Sequence, residues 1–207
     1  MALIDFVEIP RRTIVFFFIV GTSGSMEGSK IGAVNTAIKE LICEIRGFNE
    51  NPDVLMKIAA LEFSSGARWI TSSGPVEASN FNWTNLDAAG VTDFGAACRT
   101  LNEKLSTKAF MAEATGSFAP AIFLFSGGEP SDDWQKELNE LKKNNWFKAA
   151  IKDACAIGIE ANKDVLKEFT GTSETVLECY KSTTLIKMIK FVSARASQVA
   201  SKSSKCD

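Results

Sequence analysis

Residues 14–20, Ile14-Val15-Phe16-Phe17-Phe18-Ile19-Val20, form an unbroken apolar, β-branched and aromatic run that ends in Gly21-Thr22-Ser23-Gly24-Ser25. A strand without polar alternation is covered on both faces, as in the middle of a parallel sheet. Ala121-Ile122-Phe123-Leu124-Phe125 has the same character and also ends in a Gly-rich loop. Arg11-Arg12 ahead of the first run gives it a passing likeness to a secretory leader. The run is short for one, Asp5 and Glu8 precede it, and a bilayer span needs about 20 apolar residues, so a buried strand is expected.

Helical periods separate the strands. Ile31, Val34, Ile38, Leu41 and Ile45 fall at spacings of three and four; Phe94, Cys98, Leu101 and Leu105 mark a second helix, and Trp134, Leu138 and Leu141 a third. Val54 to Phe63 reads as a strand with Ala67 to Thr71 as its hairpin partner at an edge. Ile151 to Ile157 reads as a strand, Lys163 to Phe169 as a helix stopped by Gly171, and Thr175 to Cys179 as a last strand. Leu185, Ile189, Val192, Ala196 and Val199 predict a closing helix capped by Ser182 or Thr183. The expected fold is a doubly wound α/β sheet, mainly parallel with one antiparallel edge strand and helices on both faces. Residues 1–200 are read as a single domain and 201–207 as a flexible tail.

Composition narrows the chemistry. The chain has no histidine, which removes Ser-His-Asp and Cys-His nucleophiles and histidine-bearing zinc sites. Lys and Arg number 23 against 25 Asp and Glu, so no global field draws the chain to nucleic acid or an anionic membrane. The five cysteines are odd in number and at least 24 residues apart, which excludes CxxC chemistry and predicts a reduced, cytoplasmic chain. Cys43, Cys98, Cys155 and Cys179 read as core fillers and Cys206 as exposed.

In a doubly wound sheet the ligand sits outside the carboxyl ends of the strands, which directs attention to the loops after Val20 and Phe125. The first, Gly21-Thr22-Ser23-Gly24-Ser25-Met26-Glu27-Gly28-Ser29-Lys30, contains neither a P-loop nor GxGxxG. Its two serine hydroxyls are hard oxygen donors suited to Mg²⁺ or Ca²⁺ where carboxylates compensate the charge.

IVGTSGSM resembles the DxSxS motif of von Willebrand factor A domains, Thr92 in GVTDFGAA sits at their threonine position, and FSGGEPSDDW is similar to their SDGEPTDDW. The resemblance runs from LIDFVE through the closing helix, and its nearest flavour is the bacterial TerY-like group of tellurite-resistance and chemical-stress operons. It implies a metal-ion-dependent adhesion site in which Ser23, Ser25 and Thr92 are ligands and a partner's acidic side chain completes the shell. Gly21 and Gly127 stand where that pattern has its two aspartates. Three neutral hydroxyls do not repay the dehydration of Mg²⁺, so divalent metal binding is expected to be weak or lost. Asp93 and Glu129 are the nearest candidates for rescue, and Asp132 and Asp133 read as helix N-terminal charges, Asp132 with Gln135 at capping-box spacing. Without the aspartates, helix N-termini and hydroxyls would suit water or a small anion.

The expected function is a non-catalytic protein-interaction module presenting Ser23, Ser25, Thr92 and Glu129 to a protein partner, without nucleic acid or membrane. The alternatives are a phosphate-binding enzyme using the hydroxyl loop and a scaffold that binds through another surface.

Overall fold

The computed structural model describes residues 11–48, 54–113 and 116–178. Strand β1 (Arg12–Gly21) is followed by helix α1 (Ser29–Phe48), β2 (Val54–Ser64), β3 (Gly66–Trp69), β4 (Val76–Glu77) and α2 (Phe94–Lys104). Then come β5 (Ala121–Ser126), α3 (Trp134–Lys143), α4 (Asn145–Ala149), β6 (Ile151–Ala156), α5 (Lys163–Thr170) and β7 (Val176–Glu178). Strand order is β3-β2-β1-β5-β6-β7, with β4 also pairing with β2. All pairings along this order are parallel except those of β3 and β4 with β2. The expected doubly wound, mainly parallel architecture with an antiparallel edge is therefore present. Two short elements, β4 and α4, lack a sequence period long enough to announce them. The expected closing helix, its Ser182 or Thr183 cap, Cys179 and the tail lie outside the described residues.

The apolar run is central because both its faces are buried. Ile14, Phe16, Phe18 and Val20 pack with Val34, Ile38, Leu41 and Ile45 of α1. Val15, Phe17 and Ile19 face the other way, onto Cys98 and Leu101 of α2, Leu138 and Leu141 of α3, and Phe169 of α5. Phe16, Phe17 and Phe18 are each 0% exposed, and full burial of such a side chain contributes about 1.5–3 kcal/mol. Phe16 stacks on Phe123 of β5 with ring centroids 6.4 Å apart, which ties the two central strands together through side chains as well as backbone.

The cysteines depart from expectation. Cys98 is a buried free thiol, as a core filler should be, whereas Cys43 is exposed on α1. Cys155 is disulfide-bonded, which removes the cysteine argument for a reduced chain and hence for the cytoplasm. No helix among the described residues is long and apolar enough to cross a membrane.

Polar contacts fix the long connection from β4 to α2. Asn35 of α1, 5% exposed, donates from Nδ2 to the Leu86 carbonyl at 2.9 Å. Its Oδ1 accepts from Leu86 N at 2.9 Å and Trp83 Nε1 at 3.0 Å. Arg46 Nε donates to the Ala78 carbonyl at 2.8 Å, and its guanidinium also reaches the Phe81 carbonyl. These bonds give an irregular segment the backbone partners it would otherwise lack.

Asp153 on β6 is 1% exposed, and neither carboxylate oxygen has a hydrogen-bond partner among the described residues. Burial pushes its pKa up to about 7. An unfolded Asp titrates near ~4, so between roughly pH 4 and 7 the native state holds a proton that the unfolded state has lost, and stability falls as pH rises through that window. Asp153→Asn is expected to flatten this slope and to be more stable than the parent at about pH 8 by about 1–4 kcal/mol. Urea midpoints at about pH 5 and 8 measure the effect, and parallel pH slopes for the two proteins would exclude a buried titrating Asp153.

Candidate functional site

At the end of β1, Thr22 N donates to the Phe63 carbonyl at 2.8 Å and its Oγ1 reaches the same oxygen at 3.3 Å. This turns Thr22 towards β2 and starts a short 3-10 turn, Gly24–Met26, anchored by fully buried Met26. Ser23 and Ser25 flank its first step, with their hydroxyl oxygens 2.9 Å apart. The β4–α2 connection is laced onto the same loop, since Ala89 N donates to the Thr22 carbonyl at 2.7 Å and Gly24 N to the Gly90 carbonyl at 2.9 Å. Thr92 is thereby carried to the serines. A Cβ placed on Gly128 would lie 2.7 Å from Ser25 Oγ, 3.0 Å from Thr92 Oγ1 and 3.6 Å from Ser23 Oγ. The three hydroxyls named from the sequence thus converge beneath Gly128, a close approach that only glycine permits.

The two glycines at the expected aspartate positions face elsewhere. A Cβ on Gly21 would sit 3.1 Å from the Phe63 ring and 3.2 Å from the Phe125 carbonyl oxygen. One on Gly127 would run into Met26 Sδ and lie 2.8 Å from the Ile157 carbonyl oxygen. Gly128, which the sequence reading passed over, is the glycine that meets the hydroxyls. Its only signal in the sequence is the doubled glycine after β5.

The nearby carboxylates are committed to other partners. Asp93 accepts from Gly66 N through Oδ2 at 2.8 Å and from Ser131 Oγ through Oδ1 at 3.0 Å. Exposed Glu129 accepts from Asn162 Nδ2 at 2.7 Å, at the residue that caps α5. Asp132 corrects the capping-box expectation. Its two oxygens accept from Gly95 N and Ala96 N, each at 3.0 Å, so it caps α2 from the neighbouring loop rather than its own helix α3. A Cβ on Gly95 would be 2.8 Å from Asp132 Oδ2, which explains a glycine in the first turn of a helix. Asp133 occupies the N-cap position of α3 without a side-chain capping bond. Ser131 completes the clasp: its Oγ accepts from Thr92 N at 3.0 Å and its N donates to the Thr92 carbonyl at 2.8 Å.

On the opposite side, Lys30 Nζ donates to the Ser25 carbonyl at 3.1 Å and pairs with Glu160. Among the described residues no group of three or more His, Cys, Asp or Glu side chains is placed to hold a metal ion. The hydroxyl cluster is a set of neutral oxygens.

No family model matches the chain, and no curated protein matches it. Its fold, however, matches solved structures. A von Willebrand factor type A protein from Catenulispora acidiphila superposes with TM-score 0.62 at 17% identity over 89% of this chain and 43% of that one. The pilus adhesin SpaC from Lactobacillus rhamnosus GG gives 0.64 at 12% identity, over 91% of this chain and 31% of that one. The fold is that of a von Willebrand factor A domain. Proximal thread matrix protein 1 from the mussel byssus, solved with a zinc-occupied metal-ion-dependent adhesion motif, gives 0.57 at 15% identity over 88% of this chain and 47% of that one. This chain therefore spans less than half the length of each of these three von Willebrand A structures. At these identities the likeness fixes the fold of the A domain and leaves its ligand to the chain's own residues.

Asp132→Ala leaves two helix N–H groups of α2 without their charged acceptor and is expected to cost about 1–3 kcal/mol, whereas Asp133→Ala should stay within about 0.5 kcal/mol of the parent. Chemical denaturation of both variants checks the assignment. A larger loss at Asp133 would return the capping role to the local motif.

Proposed function

We propose that this chain is a non-catalytic protein-interaction module of the von Willebrand A fold, that its binding face is the rim around Ser23, Ser25, Thr92 and Glu129, and that it binds divalent metal weakly or not at all. The observation that carries this reading is the convergence of three hydroxyls beneath Gly128 while Asp93, Glu129 and Asp132 are held by other groups. Mg²⁺ takes an octahedral oxygen shell that normally includes one or two carboxylates, and this donor set does not fit it. Neutral hydroxyls cannot offset the removal of water from a doubly charged ion.

Support for a non-catalytic role comes from the same geometry. Ser23 and Ser25 have each other as hydroxyl partners rather than a base, and Lys30 is engaged by a backbone carbonyl and Glu160. Cys98 lies in the core, where burial pushes its thiol pKa far up and keeps it protonated. An adhesin and a matrix protein among the solved structures of this fold are in keeping with an interaction role. The resemblance of the three loop motifs to von Willebrand A domains, nearest in flavour to the TerY-like group, supports placing the module in a bacterial stress system. The disulfide at Cys155 weighs against the cytoplasm as its location.

Titration of Mg²⁺ by calorimetry is expected to give no saturable heat up to about 1 mM, and thermal stability should be equal in EDTA and in Mg²⁺. A Kd below about 100 μM, with a matching rise in Tm, would overturn the metal-free reading.

A further inference from the structure

The rim differs in charge from the rest of the chain. The loops 22–30, 89–93, 127–133 and 157–162 carry six carboxylates (Glu27, Asp93, Glu129, Asp132, Asp133 and Glu160) and a single lysine, Lys30. That is a net −5 in a chain whose formal net charge is −2, so the remainder carries +3. Glu27, Glu129, Asp133 and Glu160 are exposed, and of the six carboxylates only Glu160 is ion-paired among the described residues. A field of this sign repels the acidic side chain that a metal-bridged site would accept, and a phosphate likewise.

Two further observations bear on what the rim takes. Thr92, 6% exposed, directs its Oγ1 to the hydroxyl cluster, where it makes no hydrogen bond among the described residues. Its oxygen has lone pairs for a further donor. Val91 at 50% and Ile159 at 99% are the two large apolar side chains left exposed among the described residues, and both stand on these loops. Val91 adjoins Thr92. Ile159 lies between Gly158, which approaches the Lys30 side chain, and Glu160, which pairs with it. Single exposed apolar residues are ordinary, but both of these stand on the loops that carry the hydroxyls and the acids, which gives the rim an apolar component.

We propose that the rim binds a lysine-bearing segment of a protein partner, with the lysine ammonium donating to Thr92 Oγ1 and the Ser23 and Ser25 hydroxyls, and with apolar residues of the segment against Val91 and Ile159. This inference rests on the interaction-module reading and names the chemistry of its partner. An ammonium carries three donors on a compact single charge, which suits three convergent neutral oxygens. It takes the position of a cation without the dehydration cost of a divalent one. The exposed carboxylates then steer the partner and contribute chiefly to the rate of association.

The test uses the full chain labelled with ¹⁵N and three short peptides of one length: alternating lysine and leucine, the same with every lysine acetylated, and alternating glutamate and leucine. The lysine peptide is expected to shift the amides of Ser25, Val91, Thr92, Gly128 and Ile159, with EDTA making no difference. Its affinity should fall about tenfold or more between roughly 50 and 300 mM salt. It should fall about fivefold in a Glu27→Gln, Glu129→Gln double variant whose Tm is unchanged, and also in Thr92→Val. The acetylated peptide, which keeps the stem and loses the charge, should not bind. Binding of the glutamate peptide at these amides, with or without Mg²⁺, or equal binding of the acetylated peptide, would overturn the lysine assignment while leaving the rim as the binding face. Shifts confined to other surfaces, or none with any peptide, would overturn both.

Discussion

Burial of β1 on both faces is the constraint from which the rest of the molecule follows. Phe16, Phe17 and Phe18 are removed from water only if a layer of side chains covers each side of the sheet, and α1 on one face with α2, α3 and α5 on the other supply those layers. Parallel pairing of β1 with both β2 and β5 makes the connections cross over the faces. The loops after β1, β5 and β6 consequently emerge at the same end of the sheet. Ser23, Gly128 and Glu160 are far apart in sequence and become neighbours of one rim because strands cannot be parallel and leave at different ends. The site is a by-product of how the core is closed.

The same loops must also satisfy the backbone at the start of α2, and this need decides where the acids point. A helix begins with N–H groups that have no partner inside the helix. Asp132, on the β5 loop, accepts from two of them, and Gly95 is small enough to let it approach. Ser131 and Asp93 close a second set of bonds between the same two loops, while Asn35 and Arg46 hold the connection that leads into α2. Carboxylates engaged in this way carry charge into the neighbourhood of the hydroxyls without offering an oxygen to a metal. Rim charge and metal affinity are thus separate properties, the one set by how many acids the loops contain and the other by which of them are free to turn inward.

Much of this was legible in the sequence, and the remainder was not for definable reasons. Double-sided burial leaves a one-dimensional mark, the unbroken run from Ile14 to Val20, and each amphipathic helix leaves its stripe, so the fold class followed from periods alone. Ser23 and Ser25 could be picked out as hydroxyls on the loop after a central strand, whereas Thr92 could be named only because GVTDFGAA resembles a von Willebrand factor A motif. The partner of Asp132 could not be named, since Asp132 followed by Gln135 has the spacing of a local capping box and nothing in the chain distinguishes that from capping a different helix. Gly127 and Gly128 present the same difficulty. Adjacent residues point to opposite sides, and only the path of the loop after β5 tells which one meets the hydroxyls. Asn35 sits on a helix whose apolar stripe gives no hint that an amide in its midst holds a loop 51 residues away.

Charge shows the limit of composition most clearly. A near-balanced total excludes a global field and leaves partners to local surface, and the balance is struck between a negative rim and a positive remainder. What governs association is the potential where the partner arrives, and that is concentrated when loops from four places in the chain gather at one end of a sheet. The fold that brings the hydroxyls together therefore also gathers the acids that surround them. On the proposed reading, a neutral oxygen cluster inside a negative rim favours a positively charged partner. The two effects act on different atoms: the acids set the potential over the rim, and the hydroxyls set what can be held within it.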